Sequence, residues 1–116
     1  MSQIDFYTLR SQHRGWIRRL NAFLEGKSTT LTEIEAFSHE DCDLGKWLYS
    51  VGMVEYEHIE QMQELEKVHV ELHTLVRRIS VMKRTKHPAV ENKIEELKIL
   101  DDKILSLLGE LQKIIK

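Results

Sequence analysis

Four side chains in this sequence are of metal-binding types and stand where a plain apolar core would not put them. His69 and His73 are four residues apart, so on a helix both imidazoles leave the same face. The pitch suits chelation, although histidine pairs at this spacing also arise without it. His69 lies within an apolar run between Leu65 and Leu72, and His13 stands between Leu9 and Trp16 at core spacing. A buried imidazole needs partners for both ring nitrogens or carries a cost of about 1–3 kcal/mol. For each histidine alone, a backbone carbonyl is the simpler partner. Three such rings in one small chain make that answer less comfortable.

Cys42 offers a fourth donor. An isolated thiol is usually a small buried hydrophobe, yet Cys42 falls in the first turn of a short capped helix, where the dipole favours a thiolate. Three neutral imidazoles and one thiolate form a tetrahedral donor set suited to zinc. Sulfur argues against magnesium or calcium, and one thiolate cannot hold an iron–sulfur cluster.

The elements that would position these groups are helical. The 116 residues include one proline, five glycines and 7% aromatics, with 31% charged residues. That composition suits amphipathic helices in one domain, residues 1–116. Residues 2–26 predict a first helix, opened by a Ser2–Asp5 capping box. Phe6, Leu9, His13, Trp16, Ile17, Leu20, Phe23 and Leu24 form its inner face, and Gly26 ends it. Thr30 and Glu33 suggest a short turn through Ile34 and Phe37. Ser38 and Asp41 form another capping box before a short helix carrying Cys42, Leu44, Gly45, Trp47, Leu48 and Tyr49, closed by Gly52.

A third helix is expected from about Glu55 to Arg84, with His58, Met62, Leu65, His69, Leu72, Val76 and Ile79 on one stripe. His87-Pro88 separates it from the last helix. There Val90, Ile94, Leu97, Ile104, Leu108, Leu111 and Ile115 face inward, widened by Leu100, Leu107 and Ile114. Asp101 interrupts this stripe and is expected to be a satisfied or edge-facing carboxylate. The sum is an all-α fold, an antiparallel four-helix bundle whose short helix carries the cysteine.

Charge and composition exclude other classes. The formal net charge is −2 with signs interspersed, so no basic face calls for nucleic acid. No run reaches the roughly 18 apolar residues needed to span a bilayer, and no signal peptide is evident. A lone cysteine fits a reducing compartment, hence the cytoplasm.

Taken together, His13-x-x-Trp16, Cys42-x-Leu44-Gly45-x-Trp47 and His69-x-x-x-His73 resemble the chemoreceptor zinc-binding (CZB) domain family of bacteria, from about residue 5 to about 110. Cys-Asp-Leu-Gly-Lys-Trp is the specific part, and the last helix adds no motif. The resemblance implies that His13, Cys42, His69 and His73 bind one zinc ion within a four-helix bundle. It also implies a regulatory domain, since family members are commonly attached to chemotaxis receptors and diguanylate cyclases. Zinc or oxidants would then modulate chemotaxis or cyclic-di-GMP output. No output segment is present, so the signal would pass to a partner protein or a fused domain; heptad-like stripes on the last two helices also suit a homodimer.

Around the ligands, Gly45 would let the cysteine helix press on its neighbour, and Trp16 and Trp47 would roof the metal or simply fill the core. Asp41, Glu66, Asp101 and Asp102 are candidates to orient the imidazoles. His39 and His87 are expected to be exposed, and His58 to be a structural member of the stripe. Three other functions compete. Glu55-x-x-His58 and Glu66-x-x-His69 resemble half of a di-iron site of the hemerythrin or ferritin-like kind, but both copies lie on one helix where two facing helices are needed. A zinc hydrolase needs an open coordination position, which four protein ligands deny, so no catalytic residue and no enzyme activity are expected. A metal-free helical adaptor would satisfy the histidines in the core.

Overall fold

A computed structural model describes residues 6–27 and 36–115. Among these residues every regular element is helical. The first helix, α1, runs Phe6–Leu24 and buries Phe6, Leu9, His13, Trp16 and Leu20, a single stripe at three-and-four spacing. Its end is fixed by Gly26 in the left-handed region at φ 76°. The Lys27 amide then reaches the Ala22 carbonyl (2.9 Å) and the Gly26 amide reaches that of Phe23 (3.1 Å), the paired bonds of a Schellman terminus. The expected Ser2–Asp5 and Thr30–Glu33 caps lie outside the described residues.

The short second helix, α2, spans Asp43–Trp47. Its cap is Cys42 itself, in extended conformation, with Sγ accepting from the Gly45 amide at 3.3 Å. The expected Ser38 cap is therefore displaced by four residues. Ser38 Oγ instead accepts from the Glu40 amide, in the turn before Cys42. Gly52 does not close this segment either. The chain continues through a π-helical stretch, Leu48–Gly52, into α3, Met53–Tyr56.

The helix expected from Glu55 begins instead at Glu60. Ile59 takes an extended backbone (φ −84°, ψ 125°) and packs half-buried against the core, while the Gln63 side chain donates to the Glu57 carbonyl at 2.8 Å. No residue there forbids a helix; burial of Ile59 in the tertiary fold outweighs local propensity. His58 consequently sits exposed in the turn, off the stripe.

α4, Glu60–Arg84, buries Met62, Leu65, Val68, His69, Leu72, His73, Leu75, Val76 and Ile79. α5, Val90–Ile115, buries Leu97, Ile104, Leu107, Leu108 and Leu111, with Val90, Ile94, Leu100 and Ile115 half-buried beside them. Ile114 turns outward and is 48% exposed. A connection of five residues makes α4 and α5 an antiparallel hairpin against which α1 and the α2–α3 segment pack, an all-helical bundle in which the short α2 segment presents the cysteine. Leu20, Leu48, Leu65, Leu72, Ile104 and Leu108 are fully inaccessible at its centre. Burying each such side chain favours folding by about 1.5–3 kcal/mol. Among the described residues no helix is long and apolar enough to cross a membrane.

Candidate metal centre

Two chain segments converge at one level of the bundle. His69 and His73 point inward from adjacent turns of α4, both essentially inaccessible to water, and their ring centroids are 4.7 Å apart at 90°. Cys42 meets them from the head of α2. Its Sγ is 3.1 Å from His69 Nε2, and His73 Nε2 is 3.2 Å from the same atom. The donor atoms of all three residues lie within 4.8 Å of one another.

That approach is set by glycine. A Cβ on Gly45 would fall 1.9 Å from the His39 carbonyl oxygen. Only a residue without a side chain lets the first turn of α2 lie against the chain that precedes Cys42, where Sγ also faces the His39 carbonyl. Gly45 is thus required by backbone against backbone within this loop.

The three groups fit a zinc ion. Bonds of about 2.0–2.1 Å to nitrogen and 2.3 Å to sulfur place neighbouring tetrahedral donors roughly 3.3–3.6 Å apart, close to the observed spacing. The tautomer of His73 is also fixed for this purpose. Its Nδ1 donates to the Ala36 carbonyl at 2.8 Å, which leaves the Nε2 lone pair aimed at the cluster. His69 Nδ1 is buried without a hydrogen-bond partner among the described residues.

Electrostatics keep the rings neutral. Burial, reinforced by the neighbouring histidines, pushes His69 far below the ordinary imidazole range, and burial brings His73 down to about 4 despite its bond to Ala36. Neutral rings are the form that ligates metal. Burial also pushes the Cys42 thiol up to about 11, outweighing the amide of Gly45 that favours the thiolate. The helix start therefore does not suffice to ionise the sulfur in this dry site. A divalent cation reverses that balance, because a coordinating thiol is deprotonated outright.

His13 comes from α1 and is 4% exposed. It borders the same small cavity as Cys42, His69, His73, Trp16 and Leu44, but its Nε2 is engaged by the Asp101 carboxylate of α5. Cys42, His69 and His73 thus form the close cluster, and His13 stands beside it. Trp16 joins the two, stacking on His13 (centroids 5.9 Å, 18°) and tilting against His73 at 5.0 Å. Trp47, expected to share that roof, packs edge-on against Phe6 at 6.1 Å instead. Among the expected carboxylates, Asp41 and Asp102 are exposed, and Glu66 acts on Tyr49, whose hydroxyl is pushed up to about 12 by burial and by that carboxylate. His39, expected to be exposed, is half-buried with its ring edge-on to both Tyr49 (5.8 Å) and His69 (6.4 Å).

The sequence profile described as "Chemoreceptor zinc-binding domain" matches residues 13–80, more than half of the chain. The chain belongs to this family. No curated protein and no solved structure shows significant similarity to it. The matched segment of this CZB domain begins at His13 and takes in Cys42, His69 and His73. It ends within α4, so α5 and Asp101 lie beyond it. The cysteine in the cluster is a donor that a di-iron site does not use, and His58 of the first Glu-x-x-His element is turned to solvent.

Proposed function

We propose that this chain is a zinc-binding regulatory domain in which His13, Cys42, His69 and His73 hold one zinc ion, and that it acts as a sensor without enzymatic activity of its own. The observation that carries the reading is the convergence of one sulfur and two Nε2 atoms, 3.1 and 3.2 Å apart, in a buried pocket of a CZB domain. His13 borders that pocket and completes the four-donor set.

Zinc, when bound, supplies the positive charge that draws the proton from sulfur and cross-links separate segments of the fold. The residues do the rest. Ala36 holds His73 in its ligating tautomer, Gly45 lets Cys42 reach the rings, and Trp16 shields the two histidines it touches. Four protein ligands leave no coordination position for a substrate water, which favours a structural or sensing role over hydrolysis. Within this reading the thiolate is also the oxidisable ligand: oxygen transfer from a peroxide-like oxidant to sulfur gives a sulfenic acid, a poor zinc donor. Zinc occupancy or oxidation then changes how α2 sits on α4. The change is read by a partner signalling protein, a fused output domain or a second copy of the chain, in chemotaxis or cyclic-di-GMP signalling in the cytoplasm.

Metal analysis of the purified chain under reducing conditions tests the core of this. One zinc per chain is expected, lost or greatly weakened in Cys42→Ala. A Cys42→Ala protein with undiminished zinc content overturns the four-ligand site.

A further inference from the structure

Of the three histidines in the proposed ligand set, each has a different arrangement at its second ring nitrogen. His73 Nδ1 donates to a backbone carbonyl, His69 Nδ1 has no partner among the described residues, and His13 meets a carboxylate. The last contact spans 88 residues of sequence and joins α1 to α5. Its side chains are 3% and 19% exposed, and Asp101 interrupts the apolar stripe of Leu97, Ile104, Leu108 and Leu111 on α5.

We infer that Asp101 is a positioning residue of the metal centre, fixing the proton of His13 on Nε2 so that His13 offers Nδ1 to the metal where His69 and His73 offer Nε2. The inference rests on the four-ligand reading above. A carboxylate oxygen only accepts, so the nitrogen facing it carries the hydrogen and the opposite lone pair is left for a cation. A carboxylate behind a metal-bound imidazole also fixes the ring plane and raises its basicity. The stacking of Trp16 on the face of the His13 ring restrains the same plane. Asp101 thereby brings α5 into the site, although α5 carries no metal-binding motif and lies beyond the segment bearing the family signature. Its exposed neighbour Asp102 serves as a control.

Long-range proton–nitrogen correlation spectra of the zinc-loaded, nitrogen-15-labelled chain decide the matter in the unmutated protein. The expected result is a protonated Nε2 and a metal-shifted Nδ1 for His13, with the reverse for His69 and His73. In competition with a chromophoric chelator, Asp101→Ala is expected to weaken zinc binding by about 10- to 100-fold. Asp101→Asn, which keeps an acceptor oxygen in place, recovers part of that loss, and Asp102→Ala changes nothing. Zinc bound through His13 Nε2, or wild-type affinity in Asp101→Ala, overturns the role of Asp101 while leaving the zinc site standing. A wild-type chain that takes up no zinc, or a His13→Ala chain with undiminished affinity, overturns the four-ligand reading and this inference together. Should Asp101→Ala fail to fold, the wild-type spectrum and the Asp101→Asn variant still separate these results.

Discussion

The sulfur of Cys42 stands 3.1 Å from Nε2 of His69, although 27 residues separate them in the chain. Between them the backbone completes α2, the π-helical stretch, α3 and the Ile59 turn before entering α4. The irregular segment thus returns the chain to a fixed position, and the buried nitrogens and sulfur at its two ends gain a shared partner if a cation sits between them.

Binding of a cation to the folded state alone raises stability by mass action, about 2.7 kcal/mol when free metal is a hundredfold above its dissociation constant. Adding zinc to the metal-free chain is therefore expected to raise the thermal midpoint, and a strong chelator to reverse the gain. His73→Ala should abolish most of the zinc-dependent increment. His58→Ala should preserve it, because His58 is exposed in the turn before α4. Differential scanning calorimetry with and without zinc checks this. An increment that survives in His73→Ala would remove that residue from the site.

Gly45→Ala should be severe. The new methyl group meets the His39 carbonyl oxygen at 1.9 Å and its carbon at 2.9 Å, and backbone cannot step aside as a flexible side chain does. A loss of about 1–3 kcal/mol or more is expected, together with weaker metal binding, since the shift moves Cys42 away from His69. Gly109→Ala is the contrasting case. An added Cβ there meets nothing within 4 Å, and removing glycine from the interior of α5 should stabilise by about 0.5–1 kcal/mol. Urea unfolding of both variants gives the comparison, and equal effects would refute the packing at Gly45.

Metal-free protein should be most stable from about pH 6.5 to 9. His73 is brought down from 6.5 to about 4 in the fold. Above pH 6.5 its ring is neutral in both states and nothing is lost. As pH falls from 6.5 towards 4, the unfolded chain takes up a proton that the folded chain refuses. Stability drops there by up to about 3 kcal/mol, and His69, depressed in the same direction, adds to the loss. Cys42 acts at the other end, raised from 9.0 to about 11. As pH rises through that interval the unfolded thiol ionises first, and stability falls again. Urea midpoints between pH 4 and 10 trace this profile. A flat acid side would contradict neutral, buried imidazoles.

Much of this was legible in the sequence, for a physical reason. The stripes of α1, α4 and α5 repeat over many turns, so Leu9, Leu72 and Leu108 could be placed inward from spacing alone. Metal-ligating residue types inside those stripes, His13 and His69 above all, stood out against the apolar pattern. Boundaries were less readable. Cys42 caps its own helix because its sulfur reaches the Gly45 amide, a use of cysteine that the Ser38–Asp41 pattern obscured. The break at Ile59 follows from what that side chain packs against, and no local residue announces it. The Ala36 carbonyl behind His73 is invisible in sequence for the same reason, since any residue carries one. Asp101 could be named only as one carboxylate among several, because choosing it requires knowing that α1 and α5 meet.

Lys86 is the non-glycine residue with positive φ (55°) among those described. It ends α4 as Gly26 ends α1: the His87 amide bonds the Met82 carbonyl at 2.8 Å and the Lys86 amide bonds that of Lys83 at 3.2 Å. A left-handed residue with a Cβ costs roughly 1–2 kcal/mol, a strain that glycine lacks. Glycine also loosens the unfolded chain, which offsets part of the gain. Lys86→Gly is therefore expected to stabilise the protein by about 0.5–1 kcal/mol, read as a higher urea midpoint with an unchanged slope. The reciprocal change, Gly26→Ala at φ 76°, should destabilise by about 1 kcal/mol. Neither site lines the metal pocket, so zinc affinity should stay at the wild-type value in both. A Lys86→Gly protein that is less stable than wild type would mean that the lysine is not held in the left-handed region, and the terminus assigned to α4 would have to be redrawn.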